Sequence, residues 1–269
     1  MSKGLAILAG QGALPLTIAA LHPKALFVQF EGVPVNVPGN PTLQASFERF
    51  GQLFVDLKSA GITQVVFAGS LSRPALDPTK FDAKTLTLAP GFMAAMAGGD
   101  DGLLRAVIAA FEAEGLTVRA AHDLVPELTT QPGLLAGPPP TDRALADATR
   151  ARAILTALGP HDVGQGAVVA GGQCLGIETA QGTDAMLAFV AAHPDTQRQG
   201  ARGILLKAPK SGQDLRVDMP AIGPTTLAGA QAAGLAGIVI EAGHVLLLER
   251  ETLLQNANAA GLFLLAQPR

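Results

Sequence analysis

Short apolar runs alternate along the chain with stretches whose apolar residues recur at helical intervals, the pattern of strands between helices. Leu5-Ala-Ile-Leu8 reads as a buried strand, Ala9-Gly-Gln-Gly12 as a tight turn, and Leu14 to Leu21 as a helix with Pro15 in its first turn. Ala25 to Phe30 predicts a second strand, and the Pro- and Gly-containing stretch Gly32 to Pro41 a loop. Phe47, Phe50, Leu53, Phe54 and Leu57 fall at helical spacing within Leu43 to Ala60, and Gly61 ends that helix. Thr63 to Phe67 predicts a third strand, Ala75 to Thr87 irregular chain, Gly91 to Met96 and Asp101 to Glu114 helices, and Leu116 to Arg119 a further strand.

After residue 130 the pattern changes. Gln131 to Pro140 is rich in Pro and Gly and reads as a linker, and Thr141 then caps a new helix. Val163 to Glu178 is two apolar runs around Gly171-Gly172, a hairpin signal. Thr183 to His193 reads as a helix, Gly203 to Leu206 as a buried strand, and an Ala-rich helix follows Pro224. Two short strands around Glu241 to His244, a helix and Leu262 to Leu265 complete the chain. The reading is two α/β domains. Residues 1–130 form a Rossmann-like, mostly parallel layered sheet, residues 131–140 link, and residues 141–269 form a mixed α/β domain. A cleft between them is the default ligand site.

Composition narrows the function classes. Of 269 residues, 48% are hydrophobic and 15% charged, so a large core forms readily. The net charge of -3 and the absence of Trp and Tyr argue against nucleic acid as a partner. Cys174, the single cysteine, sits in an apolar strand and reads as buried and inert; it allows no internal disulfide, which suits the cytoplasm. No histidine has a partner at zinc-ligand spacing, and no apolar run is long enough to span a membrane.

Candidate chemistry gathers at turns. Gly10-Gln11-Gly12 can offer backbone N–H groups to a phosphate, although Pro15 stands where a dinucleotide fingerprint carries glycine. Ser70 and Arg73 follow the third strand, at the sheet edge where ligands bind. Asp100 and Asp101 open a helix, where capping accounts for one of them. Thr183 and Asp184 open another, which equally suits capping or a phosphate. The densest polar stretch runs from Lys207 to Pro224, with Lys207, Lys210, Gln213, Asp214, Arg216 and Asp218 delivered from one strand. Cations beside carboxylates suit phosphate chemistry, and equally a solvated loop with internal ion pairs. From these residues a phosphate-containing ligand is favoured and the reaction is open.

The ordered motifs resemble one family. They are Ala9 to Pro15, Ala68 to Pro74, Gly99 to Arg105, Ala121 to Glu127, Asp162 to Gly166, Glu178 to Met186, Lys207 to Lys210, Gln213 to Gly223 and Gly234 to Gly243. Together they are similar to the UDP-2,3-diacylglucosamine pyrophosphatases of the LpxI type, from lipid A biosynthesis. The resemblance implies hydrolysis to UMP and 2,3-diacylglucosamine 1-phosphate (lipid X), with Mg²⁺ and a water directed at phosphorus. It implies that Asp218 is the catalytic aspartate, ligating metal or orienting water, with Asp214 and Arg216 beside it. Substrate contacts would come from Gly10, Gln11, Gly12, Ser70, Arg73, Asp100, Asp101, Thr183, Asp184, Lys207, Lys210 and Gln213. The nucleotide is expected on the first domain and the lipid on the second; the Met186 to Val190 helix could offer an apolar surface, although core packing suits it better. A cytoplasmic homodimer in peripheral contact with the inner membrane completes the expectation. The competing readings are a non-catalytic carrier or sensor of nucleotide or lipid phosphate, and a different phosphoryl-transfer enzyme acting on a sugar nucleotide.

Overall fold

A computed structural model describes residues 4–36, 39–71, 75–96, 100–192 and 195–269. The chain divides into two compact units. One holds residues 1–126 with the tripeptide Arg216–Asp218, and the other holds 127–215 with 219–269.

In the first unit the elements run β1 (Leu5–Ala9), α1 (Ala13–Leu21), β2 (Leu26–Phe30), β3 (Thr42–Ala45), α2 (Phe50–Ser59), β4 (Gln64–Ala68), α3 (Ala83–Met96), α4 (Asp100–Ala113), β5 (Thr117–Arg119) and α5 (Ala121–Leu124). The five strands are all parallel, in the order β3-β2-β1-β4-β5. Every residue of β1 is buried, which explains its unbroken apolar sequence. Phe50, Phe54, Phe67 and Phe111 meet edge-on or tilted in the core beneath α2 and α4. The chain order reverses beside β1, because β2 lies on one side of it and β4 on the other. Open α/β sheets bind ligands above such a reversal, at the carboxyl ends of the strands.

Two expectations change here. The helix predicted over Leu43 to Ala60 begins only at Phe50, and β3 occupies Thr42–Ala45. Leu43 and Ala45 turn inward while Thr42 and Gln44 face out, and four alternating residues are too few to distinguish from a helix start. The stretch expected to be irregular contains the first turns of α3. Asp82 accepts the Thr85 N–H at 2.8 Å and the Thr85 hydroxyl at 2.9 Å, and α3 then continues through Pro90. Burial opposes ionisation of the Asp82 carboxyl, but these bonds, with those from the Gln52 and Gly51 amides, hold it below the usual carboxylate range.

The second unit contains β6 (Gly133–Ala136), α6 (Asp142–Leu158), β7 (Gly166–Ala170), β8 (Gln173–Ile177), α7 (Gly182–Ala191), β9 (Ile204–Lys207), β10 (Ala221–Ile222), α8 (Pro224–Ala232), β11 (Gly237–Glu241), β12 (Leu246–Leu247), α9 (Arg250–Ala260) and β13 (Phe263–Gln267). Its main sheet is mixed, in the order β6-β13-β11-β9-β7-β8. Strands β9, β11 and β13 are parallel, with β7 antiparallel to β9 and β6 antiparallel to β13. Thr141 caps α6 as its sequence predicts, accepting the Ala144 N–H. Asp147 takes the Gly171 and Gly172 amides at 3.0 and 2.7 Å, which fixes the β7–β8 turn.

Two further expectations are corrected in this unit. The stretch expected as a linker, 131–140, holds β6, which pairs with β13; its Gly and Pro residues flank the strand. The two short strands expected around Glu241 to His244 are present: β11 is central in the main sheet, and β12 pairs with β10. Cys174 is exposed, because β8 is an edge strand on which Leu175 turns inward and Cys174 outward.

Candidate active site

In the first unit the β1–α1 turn and the chain after β4 lock together. The Gln11 N–H donates to Ser70 O at 2.8 Å, the Ser70 N–H returns to Gln11 O at 3.0 Å, and the Gly10 N–H donates to Ala68 O at 2.7 Å. This approach demands glycine on both sides. A Cβ on Gly10 would lie 2.6 Å from the Ser70 carbonyl oxygen, and one on Gly69 would fall on that of Gln11. Gly69 also has φ +91°, which side-chain-bearing residues rarely adopt. Gly69→Ala is therefore expected to destabilise the first unit by on the order of 3 kcal/mol, measured by urea unfolding.

These bonds use the amides of Gly10, Gln11 and Ser70. Any phosphate at this turn would be met by Gly12 and the first turn of α1, which has no side-chain cap. A cavity of about 480 Å³ opens there, lined by Gly12, Ala13, Leu16, Pro34, Val35 and Asn36. Asp101, in the first turn of α4, pairs with Arg105, while its Oδ1 is buried with no hydrogen-bond partner among the described residues. Asp100 opens α4; its side chain, and the whole of Arg73, lie outside the described residues.

In the second unit, charged side chains gather at the carboxyl ends of the parallel strands. Lys207 closes β9 and Glu241 closes β11. Alternation puts them on opposite faces: Lys207 follows Leu205 toward α7, and Glu241 follows Val239 toward α6. Lys207 is buried, and its Nζ donates to Glu178 Oε2 at 2.6 Å and to the Thr183 hydroxyl at 2.7 Å. Gly166, paired with Lys207 across the sheet, leaves room for this contact: a Cβ there would sit 2.5 Å from Glu178 Oε2.

Beyond β9 the polar loop is braced at its start. The Lys210 Nζ donates to Asp162 Oδ1 at 2.5 Å, and the Lys210 N–H donates to Gln213 Oε1 at 2.9 Å. Asp162 itself sits in the left-handed region, at φ 58°. Asp214 and Asp218 are half-buried on this loop. Arg216 is exposed and belongs, with Val217 and Asp218, to the first unit, where its guanidinium donates to Glu112 at 2.8 Å. Asp184 is exposed in the first turn of α7, where its charge complements the helix dipole.

The structure thus unites Lys207 with Thr183, Lys210 with Gln213, and Gln11 with Ser70. Glu178 and Asp162, the partners of the two lysines, lie at the starts of the motifs Glu178 to Met186 and Asp162 to Gly166. On α7, Met186, Leu187 and Val190 are buried in the core, the packing role weighed for them, and not an open apolar surface.

A Rossmann-type unit with glycine turns at its reversal point, and a mixed α/β unit with charged groups at its strand ends, define a two-unit α/β protein. Each half matches one domain model of a single family, the LpxI N-terminal domain over residues 4–128 and the LpxI C-terminal domain over residues 131–265. A protein of Caulobacter vibrioides named UDP-2,3-diacylglucosamine pyrophosphatase LpxI is 39% identical over 272 residues, spanning 98% of this chain and 97% of that relative. The chain belongs to the LpxI family.

Proposed function

We propose that this protein hydrolyses the pyrophosphate of UDP-2,3-diacylglucosamine to UMP and lipid X. The observation that carries the reading is the near-complete alignment with the relative of that name. The polar loop supplies matching chemistry. Asp218 orients the attacking water or holds the metal, and the guanidinium of Arg216 offsets charge on the phosphoryl oxygens. Lys207 acts at one remove: its charge is satisfied by Glu178, so it anchors the base of the loop.

The donor set fits Mg²⁺. Among the described residues no three acidic or imidazole groups converge, and magnesium needs only one or two carboxylates because it keeps waters and takes substrate oxygens. Asp218 would hold it, and the bound ion would supply neutralisation of developing phosphoryl charge. Uridine fits the cavity beside Gly12, with phosphates toward the start of α1.

No helix among the described residues is long and apolar enough to cross a membrane. The acyl chains of the substrate instead favour a peripheral contact with the inner membrane. Leu86, Met93 and Met96, exposed on α3, offer an apolar surface for it.

The test is release of UMP from UDP-2,3-diacylglucosamine by the purified protein, with Mg²⁺ and with a chelator. Metal-dependent UMP and lipid X are expected. Tight substrate binding without UMP would instead establish a carrier.

A further inference from the structure

Three residues of the polar loop belong to the first unit. Arg216, Val217 and Asp218 group with residues 1–126, while Leu215 before them and Met219 after them group with the second unit. Residues 213–220 form neither helix nor strand, so side-chain contacts help to fix their place. Two such contacts stand out. Val217 is half-buried and packs against the hydrophobic core of the first unit, the cluster that includes Phe54, Ile108 and Phe111. Arg216 donates to Glu112 of α4 at 2.8 Å, and Glu112 directly follows Phe111 of that core.

The two contacts differ in kind. Burial of the Val217 side chain supplies attraction that has no preferred direction. The Arg216–Glu112 pair is nearly half exposed on both sides, at 42% and 46%, so it adds little to stability. Its effect is directional instead: a guanidinium is planar, and fixing one terminal nitrogen aims the rest. Val217 stands between Arg216 and Asp218 in the chain, so whatever holds its backbone also restrains theirs. A group that orients water or holds a metal must stay within a fraction of an ångström of its working position. A displacement of about 1 Å costs on the order of 10²-fold in rate.

We propose that Val217 and Glu112 are positioning residues for the reaction: Val217 pins the tripeptide to the core of the first unit, Glu112 aims Arg216, and the Asp218 carboxylate is thereby held in one place. The proposal rests on the pyrophosphatase reading. Both side chains act through their neighbours and not on the substrate. Truncating Val217 leaves the carboxylate intact and widens the range of positions it samples. Fewer bound substrates then meet a correctly placed Asp218, which lowers kcat and leaves KM nearly unchanged.

The experiment has two arms, run on wild type, Val217→Ala and Glu112→Ala. The first is amide deuterium exchange. Uptake across residues 213–220 is expected to quicken about tenfold in Val217→Ala and about threefold in Glu112→Ala, with β1 unchanged as the sign of an intact first unit. The second is UMP release from UDP-2,3-diacylglucosamine with Mg²⁺. Val217→Ala is expected to lower kcat about tenfold and Glu112→Ala about threefold, with KM within about twofold of wild type. Adding Val217→Ala to Asp218→Asn is expected to cost nothing further, because the valine acts through that carboxylate. A merely structural valine would lower the unfolding temperature without moving kcat, and that result overturns the proposal. So would unchanged exchange in both variants, or a full further loss in the Asp218→Asn background. Absence of UMP from wild type would instead overturn the pyrophosphatase reading, and the exchange arm would still decide the anchor.

Discussion

Asp218→Asn is expected to lower turnover of UDP-2,3-diacylglucosamine by about 10²- to 10⁴-fold, with KM changed far less. The substitution keeps the size of the side chain and removes its charge. An amide is a poor magnesium ligand and cannot accept a proton from water, so either role assigned to Asp218 is lost. The half-buried position of Asp218 tolerates an isosteric change, so the variant should unfold at nearly the wild-type temperature. UMP release under saturating substrate, with thermal unfolding as control, makes the measurement. A rate near wild type would return this carboxylate to a structural role.

Lys207→Met is expected to destabilise the second unit by about 3–5 kcal/mol, because it leaves Glu178 shielded from water without its cation. The pair is nearly dry: the Lys207 side chain is 4% exposed and that of Glu178 12%. Taking a charge pair out of water costs almost as much as the pair returns, so removing both charges should be far milder than removing one. Lys207→Met with Glu178→Leu should regain most of the loss, by urea unfolding. Additive losses instead would show that the two side chains do not compensate each other. If Lys207 touched phosphate directly, the double variant would remain inactive although folded. An anchoring lysine predicts that activity returns with stability.

Much of this architecture was legible in the chain. Continuous apolar runs such as Leu5-Ala-Ile-Leu8 and Gly203-Ile-Leu-Leu206 locate strands buried on both faces, and Gly171-Gly172 locates the hairpin. What escaped was set by tertiary context. Strand β3 is four residues long and runs straight on toward helix-forming sequence, so only its pairing with β2 reveals it. β6 lies among prolines that mark loops locally but frame an edge strand here. Cys174 is apolar by neighbourhood and exposed by topology, because edge position is not written in a strand's own residues.

At the site, the loop from Lys207 to Asp218 stood out because its charge density is unusual for this chain. Its partners did not. Glu178 and Asp162 lie 29 and 48 residues from the lysines they bind, a separation that only the folded sheet closes. Glu241 ends an apolar strand and looks in sequence like any residue leaving a core, although Arg152 meets it from 89 residues away.

The reciprocal Gln11–Ser70 bridge bears on how the first unit breathes. The amides of Gly10, Gln11 and Ser70 are all held by the opposite turn, so none can exchange with solvent while the other turn stays in place. The bridge makes the two turns one local opening unit, whose free energy all three amides share. Slow deuterium uptake, equal at Gln11 and Ser70, is the signature of that coupling. Within such a unit, neither turn can loosen to admit a ligand without the other.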